Sequence, residues 1–313
     1  MRALLHCNMA LVRHLLVLSA MVSVSASAPP PWWASRVVSF WYAPDNDWPS
    51  AAAIVRAHPG LVTSVMSYCG VDIADNGTII SKFAATCAGL FPALKAMGVR
   101  AELATGSGNC SFAAMRLLWA DTQVSPLVLR DAVRAAGADG LNIDFEPQAD
   151  SCAGAPTGDA ADAALFGAWL AAVRAQLRPL GVRLTVDVAS WSPVLREYAL
   201  LAAGADRLLT METYNGDGPA QWQGYLADFL AATPLAAAGV GLGAWSDGKA
   251  AWWETAPAAA FKVNASAAAG VPELAVFRIV PMPEVSPEWP LGFWWPALAP
   301  FAALGRAHES AAT

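Results

Sequence analysis

The chain has 313 residues, a net charge of −6, 14% charged residues and no clustered Lys or Arg. That length suits one large α/β domain, and the lack of a basic patch argues against nucleic acid as the main partner. The 56% hydrophobic fraction owes much to alanine. Past the N-terminus no uninterrupted apolar run reaches the ~18 residues that a bilayer span needs.

The N-terminus reads as a secretory signal over residues 1–26. Arg2, Arg13 and His14 precede an apolar core at 15–24, and the small residues Val24 and Ala26 mark the cut. Cleavage after Ala28 would place Pro29 just past the cut, and an apolar core of about ten residues is short for a membrane anchor. The mature chain is then 27–313, secreted or lysosomal, with no membrane anchor. Cys7 leaves with the signal, so Cys69, Cys87, Cys110 and Cys152 remain. An even number in a secreted chain implies two disulfides with three possible connectivities, and chain proximity favours Cys69–Cys87 and Cys110–Cys152. Glycosylation sequons stand at Asn76, Asn109 and Asn264.

After the Pro-rich entry at 29–31, strand-like runs alternate with helical patterns. The strands are expected at 36–42, 61–68, 100–104, 141–146, 183–189, 207–214, 239–245 and 274–280. Helical patterns cover 159–177, 193–203, 220–232, 255–269 and 294–307. Eight strands alternating with helices is the count of a (β/α)8 TIM barrel in a single domain. An open doubly wound sheet is the alternative, but no Gly-rich phosphate loop follows the first strand. In a barrel, chemistry sits where strands end. Trp41, Tyr42, Tyr68, Asp144, Glu146, Asp187, Tyr214, Asn215 and Trp245 all fall at such places.

The most telling run is Asp139-Gly140-Leu141-Asn142-Ile143-Asp144-Phe145-Glu146. Period two puts Asn142, Asp144 and Glu146 on one face and Leu141, Ile143 and Phe145 on the other. Two carboxylates and an amide facing confined space cost several kcal/mol unless paired, so they need a reason. Acid-catalysed cleavage of a glycosidic bond is one. A packing ladder or a metal site are the alternatives. The only histidines are His6, His14, His58 and His308, none near this strand, which speaks against metal. Sugar faces stack on aromatic rings, for which Trp41, Tyr42, Trp191, Trp245 and the pairs Trp252-Trp253 and Trp294-Trp295 are candidates.

The run resembles the strand-four signature of glycoside hydrolase family 18, the chitinases and chitobiases. Leu209-Thr210-Met211-Glu212-Thr213-Tyr214-Asn215 adds support from strand six. Asn142 and the small single barrel look more like the di-N-acetylchitobiase branch. The resemblance implies substrate-assisted hydrolysis of β-linked N-acetylglucosamine, in chitin oligomers or N-glycan cores, by a monomer without cofactor. Glu146 would be the acid and base, Asp144 would orient the acetamido group, and Tyr214 would donate to its oxygen. Asn142, Tyr42, Trp41, Tyr68, Asp187, Asn215, Trp245 and Trp294 would contact substrate. For Glu146 to act as an acid its pKa must be raised, which burial beside Asp144 supplies. The chain departs from the family at Asn142, Glu212 and Asn215. Strand eight, which normally ends in a Trp beneath the reacting sugar, is read with Arg278 there and Trp294 or Trp295 as substitute floor. The α+β insertion of many chitinases is absent, which implies short or terminal substrates. A glycan-binding lectin that has lost catalysis is the competing reading, with an inhibitor or storage protein behind it. The presence of Glu146 speaks for the enzyme.

Overall fold

A computed structural model of the chain describes residues 31–42, 48–81, 85–106, 112–146, 158–244, 251–279 and 291–312. Contacts divide the chain into Met1–Trp32 and Trp33–Thr313, and the second unit holds every strand among the described residues. The expected signal segment lies outside the described residues, as do Asn109, Cys110, Cys152 and Trp245.

The second unit is the expected (β/α)8 barrel. Its strands are β1 (Val37–Tyr42), β2 (Ser64–Tyr68), β5 (Arg100–Gly106), β6 (Gly140–Asp144), β7 (Arg183–Val188), β8 (Arg207–Thr210), β9 (Ala238–Gly243) and β10 (Glu273–Phe277). They close in the order β1-β10-β9-β8-β7-β6-β5-β2, and every neighbouring pair is parallel. A small antiparallel hairpin, β3 (Val71–Ile73) and β4 (Ile79–Ser81), follows β2. The sequence pattern foretold the eight barrel strands but not this hairpin. Around the barrel lie α1 (Trp48–Ala57), α2 (Ala85–Ala96), α3 (Phe112–Ala120), α4 (Ser125–Ala136), α5 (Ala160–Leu177), α6 (Tyr198–Gly204), α7 (Pro219–Ala232), α8 (Ala256–Ala268) and α9 (Trp294–Ala312).

Local chemistry fixes the helix ends. The Asp159 carboxylate accepts from the Ala161 and Asp162 amides, and the Asp162 side chain accepts from the Asp159 amide. This reciprocal cap opens α5 with two otherwise orphaned donors satisfied. Arg116 then clamps Asp162 through two bonds of 2.8 Å, tying α3 to α5.

Outward-facing strand residues such as Leu141, Ile143, Leu184 and Val186 pack against the helices in one continuous core. The barrel interior is layered differently. Near the strand starts, Arg183 bonds Glu102 and Glu273, Arg207 bonds Glu273, and Ser39 and Ser64 donate to the same carboxylates. All four charged groups are essentially inaccessible, so two cations and two anions neutralise each other in the dry interior. Above them Trp41, Met66, Ala104, Leu209 and Ala275 form an apolar layer edged by Tyr68 and Phe277. The site lies on top of that layer. Of the predicted disulfides, Cys69–Cys87 is formed and anchors α2 to the end of β2.

Among the described residues no helix is long and apolar enough to cross a membrane. Nor does any group of three or more His, Cys, Asp or Glu there suit a metal ion.

Candidate active site

At the C-terminal ends of the strands opens a cavity of about 490 Å³. Trp41, Asp144, Glu146, Asp187, Tyr214 and Phe277 form its inner part, and Trp191, Glu212, Asn215, Asp217, Gln221 and Tyr225 lie around the rest. Asp144 is the last residue of β6, and Glu146 stands two residues on. The alternation of faces continues past the strand end, because Phe145 is held outward between Phe166 and Trp169, 6.1 and 5.8 Å away between ring centres. That packing turns Glu146 inward beside Asp144.

Three carboxyl groups crowd this site. Burial, then the charge of Glu146, raise the Asp144 carboxyl from its ordinary range to about 7, against the lowering effect of a hydrogen bond from the Tyr68 hydroxyl to Oδ2. Asp144 Oδ1 is buried and has no partner in the protein. Burial also raises Glu146. Asp187 is raised well above its ordinary range, by burial first and the Asp144 charge second. Like charges this close in a desolvated place do not all ionise, so the group holds a proton far into the neutral range. Burial likewise raises Tyr68 and Tyr214. Both phenols therefore keep their protons and act as donors.

Asn142 does not reach the cavity. It is fully buried beneath the carboxyls, where its amide donates to Thr185 Oγ1 at 3.0 Å and Asp187 Oδ1 at 3.2 Å. The expected substrate contact at Asn142 is thus replaced by an indirect role, fixing Asp187. The second carboxylate near Asp144, which Asn142 does not provide, stands instead on β7 as Asp187. The first residue of the run, Asp139, is also remote from the cavity. It accepts from the Ala101 amide and faces Lys95 at 3.3 Å, at the opposite end of the strand.

The tyrosines reach the site over glycines. A Cβ on Gly106 would meet the Tyr68 ring at 2.9 Å, and one on Gly241 would collide with the Tyr214 ring. Tyr214 is not on a strand, contrary to the expected strand 207–214. The strand stops at Thr210 because the Thr213 hydroxyl donates to the carbonyls of Thr210 and Gly241, and the Tyr214 amide folds back to Met211. This turn swings Tyr214 across the barrel mouth onto Phe277, 5.8 Å away and nearly parallel.

Phe277, not Arg278, ends the eighth barrel strand in the cavity, with Trp41 6.5 Å away. Two other expectations fail on geometry. Trp294 is fully buried in the core between barrel and helices, and Trp295 stacks on His58 instead of facing the cavity. Tyr42 also lies in that outer core, since alternation sends it away from the barrel interior that its neighbour Trp41 occupies. Trp41, Asp187 and Asn215 line the cavity, and Tyr68 touches it through Asp144.

Sequence reading missed Lys262. From α8 it donates to the Tyr214 carbonyl at 2.6 Å and lies 3.5 Å from that of Thr213, wholly buried. Burial brings its ammonium down to about 7. A signal existed: Ala258, Lys262 and Ser266 recur at four-residue intervals on the buried face of this Ala-rich helix.

No family model matches the sequence, and no curated protein matches it either. Solved structures do. A chitinase from Chromobacterium violaceum superposes with a TM-score of 0.68 at 14% identity, over 86% of this chain and 99% of that one. A GH18 chitinase from Pseudoalteromonas aurantia gives 0.62 at 14%, over 85% and 99%. The chain has the fold of these chitinases. The spore cortex-lytic enzyme SleL of Bacillus cereus shares it as well, with a TM-score of 0.62 at 15% identity over 85% of this chain and 74% of that one. At such identity the likeness concerns the fold.

Proposed function

We propose that this chain is a family 18 glycoside hydrolase that cleaves β-linked N-acetylglucosamine oligomers by substrate-assisted, retaining catalysis. The observation that carries this is Asp144 beside Glu146 in one cavity, both carboxyls raised, over the aromatic floor of Trp41 and Phe277. Glu146, kept protonated by burial, gives its proton to the glycosidic oxygen as the bond to the anomeric carbon breaks. The acetamido oxygen of the same sugar attacks that carbon and forms an oxazolinium ion. This is the substrate-assisted route, which needs no carboxylate nucleophile.

Asp144 accepts the acetamido N–H and balances the positive ring, and Tyr214 donates to the acetamido oxygen. Glu146, now a carboxylate, takes a proton from water, which opens the oxazolinium on the face the leaving group left. Two inversions give net retention. Asp187, fixed by Asn142, is itself held up by burial and by the Asp144 charge, so it leaves Asp144 to face the positive charge as it develops.

The finer reading is a chitobiase-like enzyme for short or terminal oligomers, favoured by Asn142 and by the compact barrel. Secretion, with sugar chains on Asn76 and Asn264, fits the formed disulfide and the exposure of both asparagines. The test is release of chromophore from a chitobioside or chitotrioside. Turnover disappears in Glu146→Gln while oligomer binding persists. Binding without turnover by the unaltered protein would make it a lectin and refute the proposal.

A further inference from the structure

Tyr68 and Asp144 stand on strands that are not neighbours. β5 lies between β2 and β6, and its last residue, Gly106, is the register partner of Asp144. Tyr68 pairs with Ala104, two residues earlier on β5. Its ring crosses β5 over Gly106, where a single methyl group would sit 2.9 Å from it. The hydroxyl thereby reaches Asp144 Oδ2. Two further contacts fix this path. The ring lies on Trp41, with 5.3 Å between ring centres and 26° between planes. At the backbone, the disulfide of the next residue, Cys69, brings the Cys87 sulfur to 3.7 Å from the Tyr68 carbonyl.

Among the described residues this hydroxyl is the one donor that Asp144 has. Asn142, on the same strand face, spends its amide on Thr185 and Asp187. The Tyr68 bond therefore decides which oxygen of Asp144 is committed. Oδ2 is taken by the protein, while Oδ1, buried without a partner, remains for a donor from outside. Tyr68 itself is not part of the cavity lining. Burial, then the Asp144 charge, keep its phenol protonated, so it donates throughout the neutral range.

Resting on the hydrolase reading above, we propose that Tyr68 is a positioning residue: without touching the sugar, it holds Asp144 so that Oδ1 meets the acetamido N–H. A carboxyl held at neither oxygen rotates, and its alignment with the forming oxazolinium is lost. A hydrogen bond to an ionised carboxyl is stronger than one to a neutral acid. The bond from Tyr68 thus tightens as the positive ring draws out the Asp144 charge. Its contribution falls on kcat more than on KM.

The test is Tyr68→Phe, which keeps the ring, its stack on Trp41 and its fit over Gly106. Chitotrioside kcat falls about tenfold to a hundredfold, with KM within about twofold. The bond favours the charged form of Asp144, so its loss raises that carboxyl further and moves the acid limb of the pH–rate profile to higher pH. Glu146, Asp187 and Tyr214, the other titratable groups that act on Asp144 or feel its charge, stay in place. In an Asp144→Asn background the same change costs at most about threefold, because the hydroxyl then has no carboxylate to direct. Should Tyr68→Phe misfold, Gly106→Ala displaces the ring instead and lowers kcat at unchanged KM. A KM effect without a kcat effect, an unmoved acid limb, or an undiminished loss in the Asp144→Asn background would overturn the proposal and leave the hydrolase reading intact. If the unaltered protein cleaves no oligomer, the hydrolase reading fails instead. Carbon-13 NMR titration of the Asp144 carboxyl then decides the hold alone: a higher midpoint in Tyr68→Phe supports it, and an unmoved midpoint ends it.

Discussion

Replacing Asp144 by Asn separates the demands of the fold from those of the site. An unfolded Asp ionises near 3.8, whereas in the fold Asp144 ionises near 7. A raised carboxyl pKa means that the folded state binds more protons, so stability falls as pH rises between those two values and stays low above them. Were the whole shift recovered, the gain above pH 7 would be about 4 kcal/mol. One effect reduces it. The new amide N–H₂ takes the place of one carboxylate oxygen and needs an acceptor, worth about 1–2 kcal/mol. The amide oxygen still accepts from Tyr68. The expected net gain is roughly 2 kcal/mol at pH 8, or about 4 °C in Tm for a domain of this size, and close to nothing at pH 5. Thermal unfolding at the two pH values measures it, with chitotrioside turnover expected to fall at least a hundredfold in parallel. A Tm change equal at both values, or a loss of stability at pH 8, would refute the assignment of Asp144 as a strained, shared-proton carboxyl.

Removing one cation of the barrel base by Arg183→Met strands Glu102 in the interior, leaves Glu273 with Arg207 alone, and costs about 3–5 kcal/mol in urea unfolding; a cost under about 1 kcal/mol would contradict the network. Replacing both Cys69 and Cys87 by Ser opens a loop of 18 residues and should cost about 3 kcal/mol. Turnover should fall too, since Cys87 lies against the Tyr68 carbonyl; unchanged turnover would detach the disulfide from the site. Lys262→Met deprives the Tyr214 carbonyl of its buried donor, at about 1–3 kcal/mol. Its kcat should drop more than KM rises, and the reverse split would deny Lys262 a part in placing Tyr214.

How much of this was legible follows from where side-chain alternation governs. The eight barrel strands come from apolar runs alternating with helical patterns, and the facing of Asp144 and Glu146 from period two; both agree with the structure within a few residues. The same rule, applied strictly, separates Trp41 from Tyr42 and places Phe277 with Ala275 inside the barrel, one position from where Arg278 was sought. Tyr214 was found as a residue but misplaced as strand, because a threonine hydroxyl capturing two carbonyls ends a strand without any Gly or Pro to announce it. Trp294 misled because its identity suggested a sugar platform, while burial is a tertiary fact. Asn142 and Asp187 exchange roles for a similar reason: strand neighbours are set by barrel closure, which no local pattern encodes.

The ion network at the barrel base also has a temporal side. As the chain is made from its N-terminus, Glu102, Arg183 and Arg207 exist before Glu273 does, so the unfinished interior carries two guanidinium groups and one carboxylate. β10 brings the missing anion and, in the same five residues, the strand that joins β1 to β9. Ring closure and charge neutrality therefore arrive together, with the last strand of the barrel. A nascent chain lacking β10 has two open sheet edges and an uncompensated cation, a state suited to a chaperone and not to a stable partial barrel.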